Sequence, residues 1–199
     1  LISFSVVLTT ASCLELCPSY VSVGTLYSKG STDAIALPIK SNNTHPQYNS
    51  VNRSYDFALV LLDGSHDAPF IQLPLRDQAD RVIPAKTPTT ALGWGSTDPN
   101  NVDAVSDVLH SVVLSVLDDK TCLAATGFGL PAFMCAQGEP GKGLTKVDQG
   151  GPLIMKRDDG KDELIGLVST AKNCDKALIA NIGIALEYIY AYLSILTSL

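Results

Sequence analysis

The chain has 199 residues, of which 46% are hydrophobic and 17% charged, and its formal net charge at pH 7 is −6. This length fits one large domain or two small ones, and the apolar fraction is enough to bury a core, which excludes a disordered chain. Lys and Arg are scattered without a basic patch, so nucleic acid is not an expected partner, and no apolar run reaches the roughly 18 residues that a membrane span needs.

Most of the chain is predicted to form short β-strands. Seven segments rich in Val, Leu, Thr and aromatic residues are separated by Gly, Pro, Asn and Asp: FSVVLTTA, YVSVGTLY, FALVLLDG, TTALGWGS, LHSVVLSVL, GPLIM and ELIGLVST. Strands at this spacing are typical of an all-β sandwich or barrel. The apolar first segment has no Met and no basic start, so we do not expect it to be a signal peptide.

The strands are predicted to form two halves of a single domain. Residues 1–75 and 90–184 contain the strand segments, and residues 76–89 would connect them. The tail, residues 185–199, is predicted to be a helix because apolar side chains recur at i, i+3, i+4 and i+7 from Leu186. We expect this helix to pack on the body rather than on a membrane, since its polar face has no Lys or Arg.

Six short blocks, in chain order, resemble those of chymotrypsin-like serine proteases. They are VLTTASC (7–13), YDFALVLL (55–62), LGWGST (92–97), MCAQG (134–138), DQGGPLI (148–154) and LIGLVSTAKNC (164–174). Their order matches the His, Asp, Ser order of the catalytic triad in that family, and the resemblance covers nearly the whole chain. It implies an all-β fold of two packed six-stranded Greek-key β-barrels with a C-terminal helix, the first barrel being N-terminally truncated.

The resemblance also implies that the triad is not functional. Ser12 stands at the position of the base histidine, Asp56 at that of the orienting aspartate, and Gln149 at that of the nucleophilic serine. A serine hydroxyl is not a base near neutral pH and an amide is not a nucleophile, and losing such groups costs on the order of 10⁶-fold in rate. The chain is therefore predicted not to be an enzyme, and it needs no cofactor or metal.

Two residues beside Gln149 support the same prediction. Val147 stands where the family has a glycine that aims a backbone N–H at the oxyanion, and a β-branched residue resists those backbone angles. Asp148 stands where the family has the partner of the activated N-terminal ammonium. The sequence begins at Leu1 without the first strands of the family, either because the protein is a divergent short form or because the sequence is incomplete. In both cases we expect Asp148 to lack that partner.

The five cysteines allow at most two intramolecular bridges. The resemblance implies a bridge between Cys122 and Cys135, and it leaves Cys174 free because the residue at its partner's position is not a cysteine. Cys13 and Cys17 are four residues apart, which in a helical turn places their Cα atoms about 6 Å apart, within disulfide range. A Cys13–Cys17 bridge and a pair of free buried thiols both remain open.

Within the family, the chain is similar to secreted trypsin homologues of oomycete plant pathogens, the group that contains the glucanase inhibitor proteins. Residues 20–50, 55–62, 89–122 and 162–169 carry this resemblance, together with the joint loss of base and nucleophile. It implies a secreted, inactive protein of the host apoplast that binds a plant endo-β-1,3-glucanase and suppresses defence elicited by glucan fragments. In a secreted chain the sequons at Asn42 and Asn52 become sites of N-glycosylation.

Three other interpretations remain. The chain could be a binding or decoy module with a different extracellular partner, or a decaying paralogue that folds poorly. It could also be a hydrolase that uses other residues. Against this last alternative, His45, His66 and His110 lie outside the blocks that would form the cleft, and we expect them to be solvent-facing loop residues.

Overall fold

The computed structural model describes residues 1–32, 34–98, 100–171 and 176–197. The strands within these ranges are β1 (Val6–Thr9), β2 (Tyr20–Val23), β3 (Ile35–Thr44), β4 (Ala58–Leu62), β5 (Pro88–Gly93), β6 (His110–Val116), β7 (Phe133–Gln137), β8 (Pro152–Lys156), β9 (Asp162–Ala171) and β10 (Lys176–Asn181). The α-helices are α1 (Ala11–Leu14), α2 (Asp119–Thr126) and α3 (Leu186–Thr197), and 3-10 turns cover Arg76–Gln78, Lys146–Asp148 and Ile182–Ala185. The predicted all-β fold with a C-terminal helix is confirmed.

Six strands close into a barrel in the order β10-β7-β6-β5-β8-β9. All the paired strands are antiparallel. Its interior is filled by apolar side chains from alternating positions, among them Leu114, Leu153, Ile165 and Val168. Closure leaves no free strand edge, and the predicted six-stranded second barrel is confirmed.

The first half of the chain forms a four-stranded sheet in the order β1-β4-β3-β2, which is half of a barrel. Its longest strand, β3, is absent from the sequence prediction because it contains Pro38 and a polar stretch. Pro38 pairs with Tyr20 of β2, and the register shifts between Ile39 and Ser41 as β3 passes from β2 to β4. One strand therefore serves two neighbours, and the predicted incomplete first barrel is confirmed.

The half-barrel sheet, the closed barrel and α3 share one apolar core. Phe57 and Leu59 from the sheet side pack with Leu167 of β9 and with Leu186 and Ile189 of α3. The predicted packing of the C-terminal helix on the body follows from this contact. The same packing brings the ends of β1, β4 and β8 close together, and the candidate site lies there.

Among the described residues, two helices are absent from the sequence prediction, the four-residue α1 and the longer α2. Helix α2 begins after Asp118, whose side chain accepts a hydrogen bond from the Thr121 N–H over 2.9 Å. It ends at Gly127, which has a left-handed φ of 78°. Both are ordinary capping features, but a two-turn helix with an almost uniformly exposed surface has no apolar periodicity to reveal it.

Candidate functional site

The structure brings together Ser12, Asp56 and Gln149, the three residues selected from the sequence. Ser12 lies in the short helix α1 after β1, Asp56 lies just before β4, and Gln149 lies between the 3-10 turn and β8. Hydrogen bonds join them in one chain together with Ser169 of β9. We call these four residues the Ser12 cluster.

Asp56 is fully buried and is the acceptor of the Ser12 cluster. Its carboxylate accepts from the backbone N–H and the Oγ of Ser12, each over 2.9 Å, and from the Oγ of Ser169 over 2.6 Å. These three donors compensate the burial of the charge. Sequence reasoning missed Ser169, although a lone hydroxyl inside the buried run of β9 signals that a partner is required.

Gln149 closes the cluster on the other side. Its Nε2 donates to the Oγ of Ser12 over 2.6 Å, so the serine hydroxyl donates to Asp56 and accepts from Gln149. The next residue, Gly150, has a φ of +83°, and a Cβ there would lie 2.8 Å from the Sγ of Cys13. Only glycine allows this loop to lie so close to α1.

One backbone donor that an oxyanion hole would need, the N–H of Gln149, is engaged in a turn. The N–H of Gln149 donates to the carbonyl of Lys146 over 3.3 Å, and the N–H of Asp148 donates to the carbonyl of Thr145 over 3.1 Å. These bonds define the 3-10 turn that contains Val147. A donor engaged in a turn is not free to stabilise developing charge on a substrate oxygen.

Asp148 has partners within the chain itself. One carboxylate oxygen accepts from the Gly95 N–H over 2.7 Å, and the other accepts from the N–H and Oγ1 of Thr145 over 2.8 and 3.2 Å. A Cβ at Gly95 would lie 2.1 Å from the carboxylate, so this glycine is needed for the close approach. Through these bonds Asp148 fastens the loop that contains Gln149 onto the chain at the end of β5.

The structure corrects the alternative in which Cys13 and Cys17 form a bridge, because both are free thiols. The Sγ of Cys13 points inward, accepts from Thr10 Oγ1 over 3.0 Å and donates to the Gln149 carbonyl over 3.4 Å. Cys17 has a φ of 52° and faces outward, so it is not the buried thiol of the other alternative either. Burial raises the pKa of Cys13, which keeps this thiol protonated and poorly nucleophilic near neutral pH.

A disulfide joins Cys122 of α2 to Cys135 of β7, with 5.4 Å between the Cα atoms. Both residues are buried and pack against Phe133. The bridge fastens α2 to the closed barrel, away from the Ser12 cluster. Cys174 lies outside the described residues.

The expectation that all three histidines face solvent is wrong for His45. This residue is buried, and its ring stacks on Tyr55 at 4.9 Å and meets the Tyr188 ring edge-on at 4.7 Å. Its Nδ1 accepts from the Gln47 N–H over 3.1 Å. Desolvation lowers the pKa of His45. Its role is to join β3 to α3, and none of its described contacts is to the Ser12 cluster.

The Ser12 cluster therefore has hydrogen bonds but no reactive pair. Within the described part of the chain, no histidine contacts Ser12, and the thiol that lies nearest to Gln149 is protonated. No group of three or more His, Cys, Asp and Glu in these ranges is arranged to hold a metal ion. Nor does any helix among these residues have both the length and the apolar character needed to cross a bilayer.

Comparison with known proteins gives a consistent result. The trypsin family model matches residues 1–193. Glucanase inhibitor protein 1 of Phytophthora sojae is 35% identical over 189 residues, which cover 92% of this chain and 70% of that protein. Glucanase inhibitor protein 2 of Phytophthora infestans is 36% identical over 181 residues, covering 89% and 69%. Trypsin 5G1 of Aedes aegypti is 29% identical over 179 residues, covering 86% and 64%.

Among solved structures, the one described as "Structure of GrC" superposes with a TM-score of 0.83. The superposition covers 98% of this chain and 85% of that chain, at 22% sequence identity. At this identity the likeness concerns the fold alone.

Proposed function

Because the chain belongs to the trypsin family and is homologous to the glucanase inhibitor proteins of Phytophthora, we propose that it is a secreted, catalytically inactive inhibitor of a plant endo-β-1,3-glucanase. In this proposal Ser12, Asp56 and Gln149 are the remains of a catalytic triad. The protein would act in the host apoplast and suppress the release of glucan fragments that elicit plant defence.

One observation supports the loss of catalysis most strongly: the Gln149–Ser12–Asp56 hydrogen bonds occupy the place of the reacting groups. The Gln149 amide donates where a nucleophile would have to give up a proton. The serine hydroxyl has an acceptor and a donor but no basic nitrogen. In addition, the Gln149 N–H is used in the 3-10 turn, so the site lacks a nucleophile and a base and has one oxyanion donor engaged elsewhere.

A chain that has the trypsin fold without the catalytic groups is best suited to binding another protein. Inhibitor complexes bury roughly 1,600 Å² in total, about 800 Å² from each partner, and one face of a 21.1 kDa protein can supply that share. The net charge of −6 favours a basic partner through faster encounter. Glucanases are named as targets only for the relatives, so the same target is a proposal for this chain.

Two structural features support secretion. The Cys122–Cys135 bridge is of a kind that persists in oxidising compartments. Asn42 and Asn52 are exposed, and the neighbouring Asn43 contacts Tyr188 of α3, so Asn42 faces the other side of β3 and leaves its amide accessible. We therefore propose N-glycosylation at Asn42 and Asn52, tested by the mass of the chain secreted from eukaryotic cells before and after glycosidase treatment.

The experiment that tests the function combines capture with an activity probe. The purified chain, immobilised, is exposed to plant extracellular fluid and separately to a fluorophosphonate probe that labels activated serines. We expect an endo-β-1,3-glucanase to be retained and no serine to be labelled. Retention of a different protein without any glucanase would favour a decoy module, and labelling of a serine would favour a hydrolase.

A further inference from the structure

A loop from each half of the molecule meets outside both sheets. The first follows β2, and the second precedes β6. The Ser28 N–H donates to the Asp107 carbonyl over 3.0 Å, and the Leu109 N–H donates to the Leu26 carbonyl over 2.7 Å. Tyr27 and Val108 form an antiparallel β-bridge between them. The two loops thus hold each other in a fixed conformation through backbone hydrogen bonds.

Four apolar side chains on these loops are exposed. The exposed fractions are 62% for Leu26, 52% for Tyr27, 59% for Val105 and 43% for Val108. Residues opposite one another in an antiparallel bridge project to the same side, so Tyr27 and Val108 lie side by side on one surface. Leu26 and Val105 are the other exposed apolar residues of the same two loops. We call these four residues the bridge patch.

The bridge patch is connected to the loop that carries Gln149. Trp94 donates from its indole Nε1 to the Leu26 carbonyl over 3.2 Å and accepts at its own carbonyl from the Ser106 N–H over 2.8 Å. The next residue, Gly95, donates its N–H to Asp148. Hydrogen bonds therefore connect the bridge patch to Asp148, the chain neighbour of Gln149 in the Ser12 cluster.

The charges around the bridge patch leave it slightly acidic. Lys29 pairs with Asp107 at 3.4 Å, and Lys146 pairs with Asp103 at 2.8 Å. Both ammonium groups are thus balanced locally, and the exposed Asp98 adds a negative charge. Together with the net charge of −6, this disfavours an acidic partner and suits a partner surface rimmed by Lys and Arg.

We propose that the bridge patch is the surface through which this chain binds its glucanase, an inference that rests on the proposed function. Exposed tyrosine and aliphatic side chains on a rigid backbone make good binding anchors, because little conformational freedom is lost on association. The occupant is a basic protein surface with an apolar centre, placed against the bridge patch and extending towards Gln149.

The test compares two triple variants that each replace three exposed apolar side chains by serine, on different parts of the surface. The first is Leu26→Ser/Tyr27→Ser/Val105→Ser. The matched control is Val82→Ser/Leu123→Ser/Ile195→Ser, whose native side chains are 63%, 53% and 60% exposed on other elements. Binding to a purified plant endo-β-1,3-glucanase of basic isoelectric point is measured by calorimetry, and native folding of both variants is checked by thermal unfolding.

We expect the bridge-patch variant to bind at least tenfold more weakly and the control to stay within twofold of the wild type. We also expect the wild-type association rate to fall as salt is added. If the wild type binds and the bridge-patch variant binds equally well, the proposed binding surface would be wrong. The same conclusion would follow if both variants lost binding equally. In either case the proposed function would still stand. A wild-type chain that does not bind the glucanase would overturn both.

Discussion

Gln149 donates from its side-chain Nε2 to the Oγ of Ser12 over 2.6 Å, across 137 positions of sequence. This contact joins the loop before β8 to the helix after β1, and therefore the closed barrel to the half-barrel sheet. In the proposed account, Ser12 and Gln149 stand at the former positions of the base and the nucleophile and now form a hydrogen bond with each other. In this account, the satisfied hydrogen bonds hold the geometry of the site, and no contact with a substrate is required.

Restoring the two reactive side chains is not expected to restore an enzyme. In Ser12→His/Gln149→Ser the backbone N–H of residue 149 is still used by Lys146, and loss of one oxyanion donor costs about 10²–10³-fold in rate. We expect fluorophosphonate labelling of this variant to be at least a hundredfold slower than that of trypsin. Labelling at the rate of trypsin would show that the turn opens freely and would contradict this description of the backbone.

Asp56 is predicted to be essential for stability and Gln149 to be dispensable. Asp56→Ala leaves three buried donors, two on Ser12 and one on Ser169, without an acceptor. We expect this change to cost more than about 3 kcal/mol and to lower the melting temperature by roughly 10 °C. Gln149→Ala removes one bond from a half-buried residue and should cost about 1 kcal/mol. Equal losses in the two variants would contradict the assigned role of Asp56.

Stability is predicted to fall in mild acid because of His45. Burial lowers the pKa of His45 in the folded chain, so the unfolded chain takes up the proton first. The contribution is fully present above the unfolded pKa of about 6.5 and is lost as the pH falls from there towards the folded pKa. We expect denaturant midpoints to decrease from pH 7 to pH 5.

The control for this prediction is His45→Asn. An asparagine oxygen can still accept from the Gln47 N–H, as Nδ1 does now, but it does not titrate in this range. We expect this variant to be less stable throughout, because the contacts with Tyr55 and Tyr188 are lost, and to have a flatter pH dependence. An unchanged slope would assign the acid sensitivity to other groups.

The Cys122–Cys135 bridge is predicted to stabilise the closed barrel. It spans 13 positions of sequence, for which loop-closure entropy gives about 3 kcal/mol. Cys122→Ala/Cys135→Ala should lose roughly this amount in chemical denaturation. Cys17→Ser, at an exposed free thiol, is the control and should leave the midpoint unchanged. A double variant as stable as the control would show that packing around Phe133 is sufficient without the bridge.

Much of the fold follows from the sequence because six blocks that resemble those of chymotrypsin-like proteases fix the topology of the chain. The seven segments rich in Val, Leu and Thr all contain strands, and the stripe from Leu186 forms α3. The strands that were missed have physical explanations. β3 contains Pro38 and a polar stretch, while β7, FMCAQ, and β10, KALIAN, are too short to show a period.

The site was predicted less completely because its contacts are distant in sequence. The resemblance to protease blocks selected Ser12, Asp56 and Gln149, but the direct Gln149–Ser12 bond and the part played by Ser169 depend on side-chain direction. The burial of His45 depends on α3 folding back over β3. The bridge patch was not found either, since the ladder between its two loops depends on backbone pairing that no composition or period reveals.

The most direct test of the central claim is inhibition of a glucanase by the purified chain. The chain is titrated into a plant endo-β-1,3-glucanase that is hydrolysing a soluble β-1,3-glucan, and the release of reducing ends is followed. The account predicts inhibition that saturates at one chain per enzyme molecule and leaves the glucanase uncleaved. Full glucanase activity at micromolar concentrations of a natively folded chain, or proteolysis of the glucanase, would contradict it.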